Sequence, residues 1–112
     1  MKIAIPTNNG RLSAHFGHCE KFAIVETDSA SKKITGIEYF APPAHEPGVL
    51  PSWLSESGVE IIIAGGMGNR AQQLFDQYKI GVQVGAADAT PEEIVTDYLA
   101  GKLQTGDNVC DH

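Results

Sequence analysis

Glu60-Ile61-Ile62-Ile63-Ala64-Gly65-Gly66-Met67-Gly68-Asn69-Arg70 constrains this chain more than any other stretch. Three consecutive β-branched apolar residues read as a short strand buried on both faces. Glycines at 65, 66 and 68 then make a turn with little bulk around the backbone. From Asn69 to Lys79 the apolar residues Ala71, Leu74, Phe75 and Tyr78 recur at helical spacing. A strand, a glycine turn and a helix N-terminus aim backbone N–H groups at one place, and such a place suits an anion. The same glycines also serve a plain, tight strand-to-helix connection, so the loop alone leaves both readings open.

The chain has 112 residues, enough for one domain with a real core. A net charge of −6 and a pI near 5.0, with no basic run, argue against nucleic acid and anionic membranes as partners. No apolar run is long enough to span a bilayer, and Met1-Lys2 leads straight into strand-like Ile3-Ala4-Ile5 without a signal-peptide core. The expected location is the cytoplasm. Cys19 and Cys110 lie far apart in the chain and neither belongs to a CxxC pair, so free thiols are expected rather than a disulfide.

In chain order, Lys2 to Pro6 reads as a strand that Pro6 ends, followed by turn chemistry at Thr7-Asn8-Asn9-Gly10, since Asn-Gly tolerates positive φ. Arg11 to Lys21 lacks periodicity and reads as a loop. Strands are expected over about Phe22–Thr27 and Lys33–Tyr39, paired as an antiparallel hairpin. Three prolines exclude regular structure from Ala41 to Gly48. A helix follows to Ser57, with Trp53 and Leu54 inward and Gly58 as its stop. Ile80 to Val84 reads as a last strand. Thr90-Pro91-Glu92-Glu93 opens a helix, with Thr90 as N-cap and Pro91 at the first helical position, ending at Gly101. The expectation is a single α/β domain over 1–103, built on one mixed sheet, with a flexible polar tail over 104–112. Ligands of open α/β sheets favour the crevice beyond the strand C-termini, which here gathers the loop after Pro6, the glycine loop and the proline loop.

Two constellations carry chemistry. His15, His18 and Cys19 form an H-x-x-H-C cluster, and imidazole and thiolate are good ligands for copper, iron or zinc. His45 and the Cys110-Asp111-His112 ending add donors. No pair has the spacing of a structural zinc site, and each residue alone also fits loop packing, exposure or a small buried thiol. The second constellation, Gly66-x-Gly68-x-x-Ala71, matches a dinucleotide fingerprint, with Asp88 about 20 residues on as the ribose-binding acid. A small nucleotide-binding or interaction module using Gly65–Gly68 is thus the alternative reading. The first strand carries no carboxylate, and neither a nucleophile elbow nor a P-loop is present, so no catalytic residue is assigned and no enzyme is expected.

Ile3-Ala4-Ile5-Pro6, Ser13-Ala14-His15-Phe16-Gly17-His18-Cys19 with Phe22 behind, and Gly65-Gly66-Met67-Gly68 together resemble the dinitrogenase iron–molybdenum cofactor biosynthesis family. The helix opened by Thr90, Tyr98-Leu99-Ala100-Gly101-Lys102-Leu103 and the Cys-x-His ending extend the resemblance along essentially the whole chain. It implies a ribonuclease H-like fold with a five-stranded mixed sheet and about three helices. It implies non-catalytic binding, carriage or storage of an anionic metal–sulfur cluster or precursor, with a cluster-donating or cluster-accepting protein as a further partner. The metals implied are molybdenum with copper or iron; one branch, the orange protein, holds a molybdenum–copper sulfide cluster largely without covalent ligation. On this chain the cluster would sit on Gly65, Gly66, Met67, Gly68 and Asn69, with Arg70, Arg11 and Ser13 near it and Phe16 and Met67 as apolar cover. His15, His18, Cys19 and His45 are the candidate metal ligands.

Overall fold

Ile3, Ala4 and Ile5 alternate between two apolar surfaces, and the strand that carries them becomes the centre of the sheet. The computed structural model describes residues 1–13, 19–28, 30–42 and 49–103. Strand β1 (Lys2–Asn8) turns through Asn9 and Gly10, at φ 54° and 77°, into the two-residue β2 (Arg11–Leu12). Two consecutive positive φ values are what an Asn-Gly hairpin turn supplies. β3 (Lys21–Asp28) and β4 (Lys33–Phe40) form the expected antiparallel hairpin. Then come α1 (Val49–Glu56), β5 (Val59–Ile63), α2 (Asn69–Gln77), β6 (Gly81–Gln83) and α3 (Pro91–Leu99).

The strands form one mixed sheet in the order β4-β3-β1-β5-β6, with β2 pairing on β1 as a sixth strand. β1 runs antiparallel to β3 but parallel to β5, and β5 is parallel to β6. Phe22, Leu54, Ile62, Met67 and Phe75 fill the core on one sheet face, where α1 and α2 pack. Ile3, Ile5, Val25, Ile63, Ile94 and Val95 fill the other, under α3. Each such fully buried side chain stabilises the fold by about 1.5–3 kcal/mol relative to exposure.

Four expectations need correction. Pro6 does not end β1; it lies within it, opposite Phe22. The Thr7 carbonyl accepts from the Glu20 N–H on the β3 side, so Pro6 turns its backbone to the other side, where it accepts from Ser13 N–H and where pairing with β5 stops at Ala4. No ladder donor is lost there. The segment Arg11–Lys21 is not all loop, because β2 takes its start and Lys21 begins β3. Tyr78 and Lys79 lie beyond α2: Tyr78 is its exposed C-cap and Lys79 adopts φ 59°. Strand β6 is shorter than Ile80–Val84.

The helix punctuation follows the sequence. Thr90 Oγ1 accepts from the Glu93 N–H at 3.3 Å, the N-cap that T-P-E-E encodes, and its hydroxyl donates to the Glu93 carboxylate at 3.1 Å. Gly101, at φ 73°, closes α3 with Lys102 N–H bonded to the Asp97 carbonyl. No helix among the described residues is long and apolar enough to cross a membrane.

Candidate functional site

Because β1 and β5 are parallel neighbours, their C-terminal ends open on the same edge of the sheet. β3 starts and β4 finishes at that edge too, since both pairings around β3 are antiparallel. The end of β1, the start of β3, Phe40 at the end of β4, the glycine loop after β5 and the residues directly after β6 therefore lie along that edge.

The glycine loop is built by turning its carbonyls inward. The Ala64 carbonyl accepts from Ala86 N–H and the Gly65 carbonyl from Gly85 N–H at 2.9 Å. The Met67 carbonyl accepts from the Gln72 side-chain amide at 2.9 Å, and the Gly68 carbonyl from Gln72 N–H. Four of the five carbonyls from Ala64 to Gly68 are thus used inside the fold. Gly68 is the N-cap of α2, in extended conformation (φ −67°, ψ 157°), with no side chain capping the helix. That φ is open to any residue, and a Cβ added at Gly68 would meet nothing within 4 Å. Glycine at this position is required by neither backbone strain nor packing, and it leaves the approach to the helix N-terminus clear.

Arg70 sits exposed in the first turn of α2, which carries no acidic residue. A cation at the positive end of a helix dipole is unfavourable by a few tenths of a kcal/mol to about 1 kcal/mol, and an anion bound there relieves both charges. Within a chain of net charge −6, the helix start is a local positive spot.

The other site candidates divide. Met67 is 1% exposed and packs in the core, so its side chain supports the loop from beneath. Arg11 is held by Asp88: Nε lies 3.1 Å from Oδ1, and Leu12 N–H bonds the Ala89 carbonyl alongside. This places the acid of the dinucleotide pattern in an ion pair. Ser13 is buried and its Oγ accepts from the Asn8 side-chain amide. Cys19 is a free, buried thiol, which burial pushes up to about 11 against a partly offsetting backbone hydrogen bond, so it is protonated at neutral pH. His15, Phe16, His18 and His45 lie outside the described residues, as does the Cys110–His112 ending. Among the described residues no three His, Cys, Asp or Glu side chains are grouped to hold a metal ion.

Asn8 was legible only as turn chemistry, and the structure gives it a larger part. Its Oδ1 accepts from Glu20 N–H at 2.6 Å while its Nδ2 donates to Ser13 Oγ at 3.2 Å. One side chain therefore ties both stems of the segment that contains His15 and His18. The signal available was an asparagine at a strand end before Asn9-Gly10, which is also what any turn would show.

The family model described as "dinitrogenase iron-molybdenum cofactor" matches residues 1–101. A protein of Methanocaldococcus jannaschii described as the uncharacterized protein MJ0580 is 40% identical over 108 residues, covering 93% of this chain and 90% of that relative. Among solved structures, the crystal structure of PH0822 superposes with a TM-score of 0.84 at 27% identity, covering 95% of this chain and 96% of that one. The apo form of the orange protein from Desulfovibrio gigas shares the fold, with a TM-score of 0.73 at 22% identity over 96% of this chain and 93% of that one.

Proposed function

This chain belongs to the dinitrogenase iron–molybdenum cofactor family, and from that premise we propose that it binds and carries an anionic metal–sulfur cluster or its precursor without catalytic turnover. The observation that carries the reading is Gly68: a helix start left uncapped, with open space where a side chain would stand. N–H groups of the first turn, those of Arg70 and Ala71 among them, are directed toward that space. The inward carbonyls of the glycine loop remove the repulsion that an anion would otherwise meet. Arg70 adds an exposed positive charge at the helix start, and Asn8 ties Ser13 to Glu20, the described residues that flank His15 and His18. The described part of the site offers hydrogen-bond donors to sulfide; His15, His18 and His45 are the candidates for direct contact with copper or iron. A cluster-donating or cluster-accepting protein is the corresponding partner.

The test is an anaerobic visible-absorption titration of the protein with tetrathiomolybdate and copper(I), repeated with iron and sulfide. Saturable bands that survive desalting are expected from one metal set. Gly68→Val keeps an allowed backbone and its Cβ stands in open space, so it leaves the fold intact while covering the helix start. Its band intensity at a fixed cluster concentration should fall at least tenfold while the circular-dichroism spectrum at 25 °C stays that of the folded chain, with the melt lowered only by the few degrees that a poorer N-cap costs. Absence of any retained chromophore with both metal sets, or full retention in Gly68→Val, defeats the assignment; a thermal shift with NAD(P) instead would favour a nucleotide.

A further inference from the structure

On the face of the sheet where α1 packs against β5 and α2 against β6, part of β3 and β4 is left uncovered. Between α1 and β4 runs an open groove of about 550 Å³, floored by Ile24 and Phe40 and flanked by Glu26, Glu38 and Glu56, with Lys2 at one end. Lys2 Nζ donates to the Ser57 carbonyl at 3.1 Å. No ion pair among the described residues engages Glu26, Glu38 or Glu56. The groove borders β4, an eight-residue strand that pairs with β3 on one side and has no strand on the other among the described residues. Tyr39 and Phe40, the last two residues of that edge, are 44% and 41% exposed. The bulge opposite Glu26 and Thr27 interrupts the strand near Thr35, leaving Gly36 to Phe40 as a regular edge.

We propose that this edge and groove form a docking surface for an extended, basic segment of a partner protein. The segment adds as a strand to Gly36–Phe40, and its alternate lysine or arginine side chains reach into the groove toward Glu38, Glu26 and Glu56. Main-chain pairing on a free edge gives affinity in this mode, while pockets for alternate side chains give selectivity. Charge decides the occupant: three unpaired carboxylates beside an edge repel an acidic strand and a second copy of a chain whose net charge is −6. An aromatic face at Phe40 also suits a cationic side chain laid across it. The inference stands on the β4 face alone and does not depend on cluster binding.

Trp53, the chain's single tryptophan, lies edge-on to Phe40 with ring centroids 6.4 Å apart and reports on the groove directly. The experiment titrates the full chain with a seven-residue peptide of alternating lysine and valine, following Trp53 emission and sedimentation. A saturable change is expected, weakened at least tenfold in the Glu38→Lys/Glu56→Lys variant and by alternate N-methylation of the peptide backbone. A glutamate–valine peptide should give no change. The three acids are exposed, so the double variant keeps its fold, checked by its melt. Failure of the lysine peptide to bind, binding undiminished in the double variant, or binding indifferent to N-methylation would each overturn the proposal. So would self-association of the free chain that Glu38→Lys abolishes, which would make the occupant a second copy.

Discussion

At the scale of residues, burial alters the chemistry of Cys19. Burial holds its thiol up at about 11, whereas an unfolded cysteine titrates near ~8.5. With the folded pKa raised, the native state keeps its proton where the unfolded state has lost it. The contribution to stability is therefore full below about 8.5 and is lost as pH rises through about 11. Urea midpoints measured at pH 8 and pH 10.5 should fall more for the wild-type chain than for Cys19→Ala. In a Cys110→Ala background, iodoacetamide should modify native Cys19 at pH 8 at least tenfold more slowly than the urea-unfolded chain. The sequence named Cys19 as either a ligand or a small buried residue, and the described structure places it in the core. It could not show Asn8 as a tie between Ser13 and Glu20, because a side-chain bond to residues 5 and 12 positions away leaves no periodic trace. Gly68 was readable from its place after the isoleucines; that nothing crowds it was not.

At the scale of elements, helix ends and strand identities were legible because local chemistry encodes them: Thr90-Pro91 opens α3, Gly58 and Gly101 stop α1 and α3, and Asn9-Gly10 reverses β1. The errors fell where an element breaks its local rule. Pro6 was read as a stop, but its missing N–H faces the side of β1 where β5 has ended. β2 was missed because two residues show no alternation. The apolar spacing that ends on Tyr78 carries the expected helix to Lys79, yet Lys79 takes the left-handed position that closes the helix, with Ile80 N–H bonded to the Phe75 carbonyl at 3.0 Å. A non-glycine residue there is strained. Lys79→Gly should accordingly stabilise the fold by about 0.5–1 kcal/mol, raising the thermal midpoint by a few degrees. Calorimetry of the two proteins decides it, and a lower midpoint would show that the lysine side chain contributes more than the strain costs.

Across the whole molecule, charge is distributed so that its two proposed contacts answer salt in opposite ways. An anionic cluster approaching a chain of net charge −6 is repelled until it is within reach of Arg70 and the α2 N-terminus. Association should therefore quicken as ionic strength rises from about 0.01 M to 0.15 M, where the screening length drops from ~30 Å to ~8 Å. Binding of the lysine peptide at β4 should weaken over the same range. Stopped-flow absorption and Trp53 fluorescence follow the two processes separately; a common sign would mean that the net charge does not govern the first of them. The parallel pairing of β1 with β5 has another consequence, in time. β1, β3 and β4 are close in sequence and can assemble as soon as residues 2–40 are available, but the second neighbour of β1 is not made until residues 59–63. During synthesis the chain passes through a stage in which its central strand presents an open edge, so a pause or truncation before Ile63 would leave a species primed to pair with its copies.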